Sequence, residues 1–274
     1  VLLTQFSFAA WKGGKLNKKW RKQAAEEKLE TMKMQIEYFA PKIVIPFASF
    51  IYFSNQENFY LNDAVNNPSE VKKVLANSIG KIVFMKPKDI MGGANESISS
   101  SDAIDYWDAL YEELPKRKKH SFQLIKEAQI NEAFDQYCNR ISNNNNITLM
   151  RICRFFSPIP VFKPIIVEVT DLKSSYEIDY IKRKITRTNM PSTLAMKSEV
   201  LYFLFKNSFG FDTMTVNGCF EEGTKGGFTK ATKSLAIENL NNLGIYVNLK
   251  LLVNFRIIKL FFTRLYRVAR KLEY

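Results

Sequence analysis

The N-terminal part of the sequence alternates short apolar segments with longer amphipathic ones, and this alternation most limits the possible folds. Residues 1–8, 42–47 and 81–86 have the length and composition of buried strands. In residues 17–39 the apolar side chains recur every three or four positions, as on one face of a helix. Residues 67–70 (NPSE) are a helix start, with Asn at the N-cap and Pro at the first helical position. This strand–helix–strand–helix–strand order predicts an α/β layer.

The middle of the chain has a different pattern. Residues 103–114 and 122–141 have helical periodicity, and the run of four asparagines at 143–146 is typical of a linker or an exposed turn. We therefore predict two domains. They comprise residues 1–141 and residues 142–274.

The second of these domains is predicted to have an α+β fold. Residues 163–169 and 176–181 flank a polar turn and suggest a β-hairpin. A helix is expected at 197–207, a strand at 211–220, and a last helix from 249 to the C-terminus. We interpret this part as an accessory domain.

The charge balance favours anionic partners. The chain has 40 Lys and Arg against 27 Asp and Glu, a net charge of +13. Such an excess is equally compatible with a solvated basic surface. The most basic run, residues 116–120, has no interleaved aromatic residues and belongs to no recognised nucleic-acid module, so nucleic-acid binding is not expected.

Cysteine and histidine usage limits redox and metal chemistry. Cys138, Cys153 and Cys219 are far apart, which argues against a disulfide framework and favours a reducing, cytoplasmic compartment. His120 is the single histidine, so no histidine-based metal centre is expected from this chain alone. No uncharged apolar run reaches the roughly 18 residues that span a bilayer.

Several segments resemble one family. Residues 19–63 (KWRKQAAEEKLETMKMQIEYFAPKIVIPFASFIYFSNQENFYLND) are similar to a region of metallo-β-lactamase-fold proteins of the CMP-N-acetylneuraminic acid hydroxylase branch. There a helix leads into a P-F-A strand end, and an S-H-x-x-(E/D)-x-x-Y-type loop follows, with a trailing Asn that Asn66 matches. Residues 2–11 resemble the family's L-L-x-x-F segment, and residues 86–89 its P-G-D segment. Residues 198–220 resemble the C-terminal extension of bacterial members.

The resemblance implies an αββα metallo-β-lactamase sandwich with a dinuclear metal site at one edge. The family's H-x-H-x-D-H metal motif is absent here, so we expect the chain to be the C-terminal half of the sandwich in a longer parent protein. Asn55 stands where relatives often carry His, and an amide oxygen is a poor zinc ligand. The Rieske centre of the hydroxylase branch needs Cys and His pairs that this chain lacks.

The functional expectation follows from the resemblance. The parent is expected to be a metal-dependent hydrolase, or a related oxidoreductase, that holds a divalent Zn or Fe ion. This chain alone, without a metal site or cofactor, is expected to be inactive. The alternative from a different class is a non-catalytic protein that docks on an anionic membrane or an acidic partner.

The predicted pocket residues lie mainly in the loop after the second strand. Ligands of open α/β sheets tend to bind outside strand ends, where loop side chains converge. Asn and Asp in loops also commonly satisfy local backbone groups, which is the alternative. Asp89, after the third strand, is predicted either to orient a metal ligand or to cap a turn. The loop candidates are Asn55, Glu57, Asn58, Tyr60 and Asn62.

The last helix separates charge from apolar surface. Six basic residues fall on one half of the predicted helix, and Phe and Leu side chains fall mainly on the other. This pattern is typical of a helix that lies in a membrane interface, and so predicts peripheral binding to anionic lipid. The alternative is a helix that packs its apolar stripe on the core of the protein. The basic residues are Arg256, Lys259, Arg264, Arg267, Arg270 and Lys271.

Overall fold

The computed structural model describes residues 1–92, 98–157 and 159–252. The chain divides into two compact units, Val1–Ser121 and Phe122–Tyr274. Both units combine helices with a sheet, so the expected mixed α/β composition is confirmed at this coarse level.

The first unit is built around a parallel sheet. Its strands β1 (Leu2–Thr4), β2 (Ile43–Pro46) and β3 (Lys81–Ile82) lie in the order β1-β2-β3. Leu2 pairs with Val44 and Val44 with Ile82. The helices are α1 (Lys18–Phe39), α2 (Pro68–Val74) and α3 (Ser100–Glu113), with 3-10 turns at Phe59–Ala64 and Leu114–Lys116.

Local signals in the sequence account for the ends of the first two helices. The Asn17 side chain accepts a hydrogen bond from Trp20 N and begins α1, which ends at Ala40 in the left-handed conformation, one residue before Pro41. At α2, Asn67 and Glu70 form the predicted reciprocal capping box. Both helices therefore begin within one residue of the predicted position.

The helices of the first unit pack on one face of its sheet. Leu2, Val44 and Ile82 lie in one core cluster with apolar residues of α1, α2 and α3. Side chains alternate between faces along a strand, so Leu3 belongs to the opposite face. Leu3 is more than half exposed, as is Phe47 just beyond β2. Among the described residues of the unit, this side of the sheet is incompletely covered.

The second unit contains a mixed sheet in the order β6-β5-β4-β7-β8. Strands β4, β5 and β6 form a consecutive antiparallel meander, which includes the predicted hairpin. Strand β7 pairs with β4 in parallel, and β8 pairs with β7 antiparallel. The strands are β4 (Ile165–Val169), β5 (Ser174–Asp179), β6 (Lys184–Thr188), β7 (Leu194–Met196) and β8 (Phe220–Glu222).

Seven helices complete the described part of this unit. They are α4 (Glu127–Asn144), α5 (Ile147–Phe156), α6 (Ser198–Lys206), α7 (Gly210–Asn217), α8 (Gly227–Leu235), α9 (Ile237–Asn242) and α10 (Leu249–Leu252). Only the first four residues of the predicted last helix are described. The six basic residues expected there (Arg256, Lys259, Arg264, Arg267, Arg270 and Lys271) lie outside the described residues.

The predicted strand at 211–220 is mostly helix. Residues 210–217 form α7, which ends at Gly218 in the left-handed conformation, and only Phe220 enters a strand, β8. Phe211 and Met214 are both buried, at a spacing of three that suits a helix. The prediction of a strand over residues 211–220 is therefore wrong except at Phe220, because the apolar residues recur at helical rather than strand spacing.

The asparagine run joins two helices and is no domain linker. Asn143 and Asn144 form the end of α4, and the Asn146 side chain caps α5 by accepting from Leu149 N. The predicted boundary at 141/142 falls inside α4, whereas the structure divides at 121/122. Asn is common at helix caps as well as in linkers, and composition alone does not separate these roles.

Candidate functional site

The strongest candidate is the segment between β2 and α2, residues 47–67, which we call the post-β2 loop. Helix α3 holds its first half by aromatic contacts. Phe50 stacks on Trp107 with ring centroids 4.0 Å apart, and Trp107 Nε1 donates to the Met85 carbonyl at 2.9 Å. The Tyr111 hydroxyl donates to the Ile51 carbonyl at 3.1 Å.

Helix α1 fixes the second half of the loop through a buried arginine. Arg21 is only 1% exposed and donates from Nε and Nη2 to the two carboxylate oxygens of Asp63, at 2.8 and 2.7 Å. Its Nη1 donates to the Gly14 carbonyl, and its guanidinium lies 4.9 Å from the centre of the Tyr60 ring. A bidentate Arg–carboxylate pair of this kind sets orientation as well as distance.

Two of the predicted pocket residues organise the backbone of the loop. The Asn62 side chain accepts from Phe53 N at 2.9 Å and donates to the carbonyls of Phe53 and Phe59 at 2.8 and 2.9 Å. The Asn58 side chain accepts from Asn55 N at 3.0 Å. These contacts match the alternative in which loop amides satisfy local backbone groups.

Asn66, the residue matched to the family's trailing asparagine, has a similar structural role. It is buried, and its side-chain amide donates to the carbonyls of Phe6 and Ala25 at 2.7 and 2.9 Å. It therefore ties the end of the loop to the segment after β1 and to α1.

Three side-chain atoms of the post-β2 loop are buried without a hydrogen-bond partner in the described part of the chain. They are the Tyr52 hydroxyl, Asn55 Oδ1 and Glu57 Oε2. Burial raises the pKa of Tyr52, so its hydroxyl keeps its proton. Buried polar atoms are usually paired, and an unpaired one is costly. Such atoms in one loop identify where an additional polar group would be stabilised.

A cavity of about 430 Å³ adjoins the loop. Its walls include the rings of Tyr52, Phe59, Tyr60 and Tyr111. The Tyr52 and Phe59 rings meet nearly at right angles (84°), with centroids 6.0 Å apart. Largely apolar walls with a few polar atoms are typical of small-molecule sites.

The structure places the predicted site residues in three groups. Tyr60 and Asn62 line the cavity. Asn55, Glu57 and Asn58 belong to the same loop, outside the cavity lining. Asp89 is in a turn, where its carboxylate accepts from Lys86 N at 2.8 Å; this contact is the turn-capping alternative.

The basic run lies against the post-β2 loop, which the sequence did not suggest. His120 N donates to the Ser54 carbonyl at 2.9 Å, and Gln56 N donates to the His120 carbonyl at 3.1 Å. Lys119 Nζ lies 3.6 Å from the centre of the Phe59 ring. A cation–π contact of this kind places positive charge beside the cavity wall.

Metal ligands are not assembled in the described part of the chain. Within residues 1–92, 98–157 and 159–252, no group of three or more His, Cys, Asp or Glu side chains is placed to hold a metal ion. In the same residues, no helix combines the length and apolarity needed to cross a membrane.

Comparisons with protein-family models, with curated proteins and with solved structures found no match to the chain. The candidate site therefore rests on its own residues, and the resemblance of residues 19–63 stays a prediction.

The burial of the Tyr111 hydroxyl predicts that the free energy of unfolding falls at alkaline pH. Burial raises its pKa to about 12, above the ordinary value of 10.0. The folded state keeps this proton when the unfolded chain loses it, so the contribution to stability is full below pH 10 and declines as pH rises towards 12. We expect the difference in unfolding free energy between wild type and Tyr111→Phe to be constant from about pH 7 to 9 and to narrow above pH 10. Urea unfolding at a series of pH values measures this difference, and a constant gap up to pH 12 would contradict the assignment.

Proposed function

We propose that Val1–Ser121 is part of a metallo-β-lactamase-fold, metal-dependent hydrolase or related oxidoreductase, and that the post-β2 loop forms one wall of its substrate cleft. The observation that carries the proposal is the set of three buried polar atoms on this loop that have no hydrogen-bond partner in the part of the chain that the structure describes, Tyr52 Oη, Asn55 Oδ1 and Glu57 Oε2. They follow the carboxyl end of a parallel strand, where α/β proteins tend to bind ligands.

The sheet of the first unit is compatible with half of an αββα sandwich. Parallel sheets are normally covered on both faces, and here α1, α2 and α3 pack on one face. On the other side, Leu3 and Phe47 are more than half exposed. In our proposal, a second sheet of the same polypeptide covers these side chains.

The chemistry that we assign to the loop uses its own side chains. The Tyr52 hydroxyl, on the cavity wall, donates to a substrate oxygen. The Glu57 carboxylate, in the same loop but outside the cavity lining, accepts a hydrogen bond from a polar substrate group that reaches beyond the cavity, or takes a proton from it. The aromatic cavity walls exclude water from the apolar part of the substrate. The described residues do not fit a metal centre by themselves, so we derive no step through a metal.

The first test is the coding sequence upstream of Val1. The proposal requires an H-x-H-x-D-H motif within about two hundred residues before Val1, the size of one domain. If the reading frame there lacks the motif, the hydrolase proposal fails. The remaining function is then non-catalytic docking on an anionic membrane or an acidic partner, which the net charge of +13 favours.

The second test is Glu57→Gln in the longer protein. Gln keeps the shape of the side chain and removes its charge and basicity, so kcat should fall at least about tenfold, with the metal content and the thermal unfolding midpoint unchanged. Glu112→Gln, at an exposed position of α3, is the matched control and should leave kcat unchanged. Equal activity of the two variants would remove Glu57 from the site.

A further inference from the structure

Helix α5 has one face in the core of the second unit and one face in solvent. Leu149, Met150 and Arg154 are buried. Phe155 and Phe156 are 74% and 80% exposed, and Ile152 is 48% exposed. Two neighbouring phenylalanines with this much exposure form an apolar patch that single exposed side chains do not.

The exposed residues occupy one continuous face of the helix. At 100° per residue, Arg151, Phe155, Ile152 and Phe156 span roughly 140° of its circumference. The buried residues fill the remaining arc, which is the pattern of a helix held in the protein by one side. We call Arg151, Ile152, Phe155 and Phe156 the α5 outer face.

Hydrogen bonds on the inner side hold this face in place. Arg154 donates to both carboxylate oxygens of Asp179, at 2.7 and 2.8 Å, and to the Phe162 carbonyl at 2.6 Å. Ser234 Oγ donates to the Lys163 carbonyl at 2.7 Å, and Lys163 Nζ lies 5.7 Å from the centre of the Phe155 ring. The outer face is therefore presented by a fixed helix, with a lysine at its edge.

The sequence around α5 carries charge of one sign. From residue 136 to residue 167 the sequence contains four basic residues and no Asp or Glu. Arg140 and Arg154 form ion pairs with Glu238 and Asp179. Within residues 1–92, 98–157 and 159–252, no ion pair joins the exposed cations Arg151 and Lys163 to a carboxylate.

We propose that the α5 outer face docks on an anionic lipid bilayer. The phenylalanine rings and Ile152 enter the boundary between headgroups and acyl chains, while Arg151 and Lys163 contact headgroup phosphates. An apolar face without acidic residues, with cations at its edge, is complementary to such a surface. This inference is independent of the proposed hydrolase function and of the basic residues 256–271.

The test is vesicle binding by the full chain. Wild type should co-sediment with phosphatidylcholine vesicles that contain phosphatidylserine, less so at high salt, and weakly with phosphatidylcholine alone. Phe155→Ser/Phe156→Ser should reduce the affinity at least about tenfold, and Arg151→Glu should reduce it with a smaller salt dependence. Phe209→Ser, at a position that is 58% exposed in the same unit, is the matched control and should bind like wild type. Millimolar inorganic phosphate should not compete, because free phosphate lacks the apolar phase.

Three outcomes would overturn the proposal. The first is a wild-type chain that stays in the supernatant at low salt. The second is unchanged binding of both α5 variants, with binding abolished by Arg264→Glu/Arg267→Glu/Arg270→Glu, which would assign the lipid contact to the C-terminal residues. The third is a dimeric wild type that becomes monomeric in Phe155→Ser/Phe156→Ser, which would make the face an interface between two copies. The thermal midpoints of all variants are measured alongside, and Arg151→Glu, a charge reversal on the solvent side, supplies the answer if the double variant does not fold.

Discussion

Replacing Asp179 with alanine is expected to destabilise the second unit by about 3–5 kcal/mol, the usual cost of removing one member of a buried ion pair. Arg154 and Asp179 are 7% and 8% exposed and are joined by two hydrogen bonds. The variant leaves the Arg154 guanidinium buried without its counter-ion. Since Arg154 also holds the Phe162 carbonyl, the end of α5 and the segment after it should loosen together.

The same ion pair predicts loss of stability in acid. Burial raises the pKa of Asp179. Hydrogen bonds from Arg154 and from the Lys182 amide, and the positive charges of the Arg154 and Lys182 side chains, lower it by more, so the pKa of Asp179 is lowered overall. A lowered folded-state pKa stabilises the fold above the unfolded value of 3.8, and this stabilisation is lost as pH falls through the folded value. The acid-induced loss should therefore be smaller in Asp179→Ala than in wild type.

Urea unfolding, followed by circular dichroism and by amide exchange in β4 and β5, measures both effects. Arg187→Gln is the control, because Arg187 contacts Glu127 in an ion pair whose arginine is mostly exposed. It should cost less than about 1 kcal/mol. Equal losses in the two variants would show that the buried pair contributes no more than an exposed one.

Replacing Arg21 with methionine should have the largest effect in the first unit. Methionine fills similar space, but Asp63 loses both hydrogen bonds from the guanidinium, and the Gly14 carbonyl loses its donor. We expect about 3 kcal/mol of destabilisation, at the lower end for a buried pair because Asp63 is partly exposed. The 3-10 turn at Phe59–Ala64 should also become more mobile, since Arg21 holds both Asp63 and Tyr60.

The matched control is Lys18→Met, because Lys18 contacts the same carboxylate at 3.9 Å from an exposed position on α1. It should cost less than about 1 kcal/mol. Limited proteolysis reports on the loop, and cleavage within residues 47–67 should be faster in Arg21→Met than in wild type or Lys18→Met. If the loop is equally resistant in all three, its conformation does not depend on Arg21.

Elements whose signals are local were predictable from the sequence. The helix starts at Asn17 and Asn67 depend on capping residues within three positions, and the β4–β5 hairpin depends on a polar turn between apolar runs. Strands β6 and β7 were not predicted, and residues 210–217 were assigned to the wrong element. These segments are short, and the spacing of a few apolar residues does not distinguish a helix from a strand. Tertiary packing decides which of the two forms.

The candidate site was predictable in its location and only partly in its residues. The loop after β2 was expected because it follows a buried strand. Asn55 and Glu57 in this loop have buried polar atoms without a hydrogen-bond partner among the described residues. The contacts that shape the loop join residues far apart in sequence, such as Arg21 with Asp63 and Tyr111 with Ile51. No spacing rule links such positions, and neither Tyr52 nor Tyr111 was singled out.

The strand order of the second unit separates strand pairings that close short loops from pairings that close long ones, and the two differ in loop-closure entropy. Strands β4, β5 and β6 follow one another along the chain, so their pairing closes only short turns. The parallel pairing of β7 with β4 closes a longer stretch of chain, which contains β5 and β6. Its loop-closure entropy is therefore larger than that of the turns within the meander. β8 then adds to β7 at the far edge. The pairings within the meander are therefore more local in sequence than the pairing of β7 with β4, which joins Val167 to Leu194.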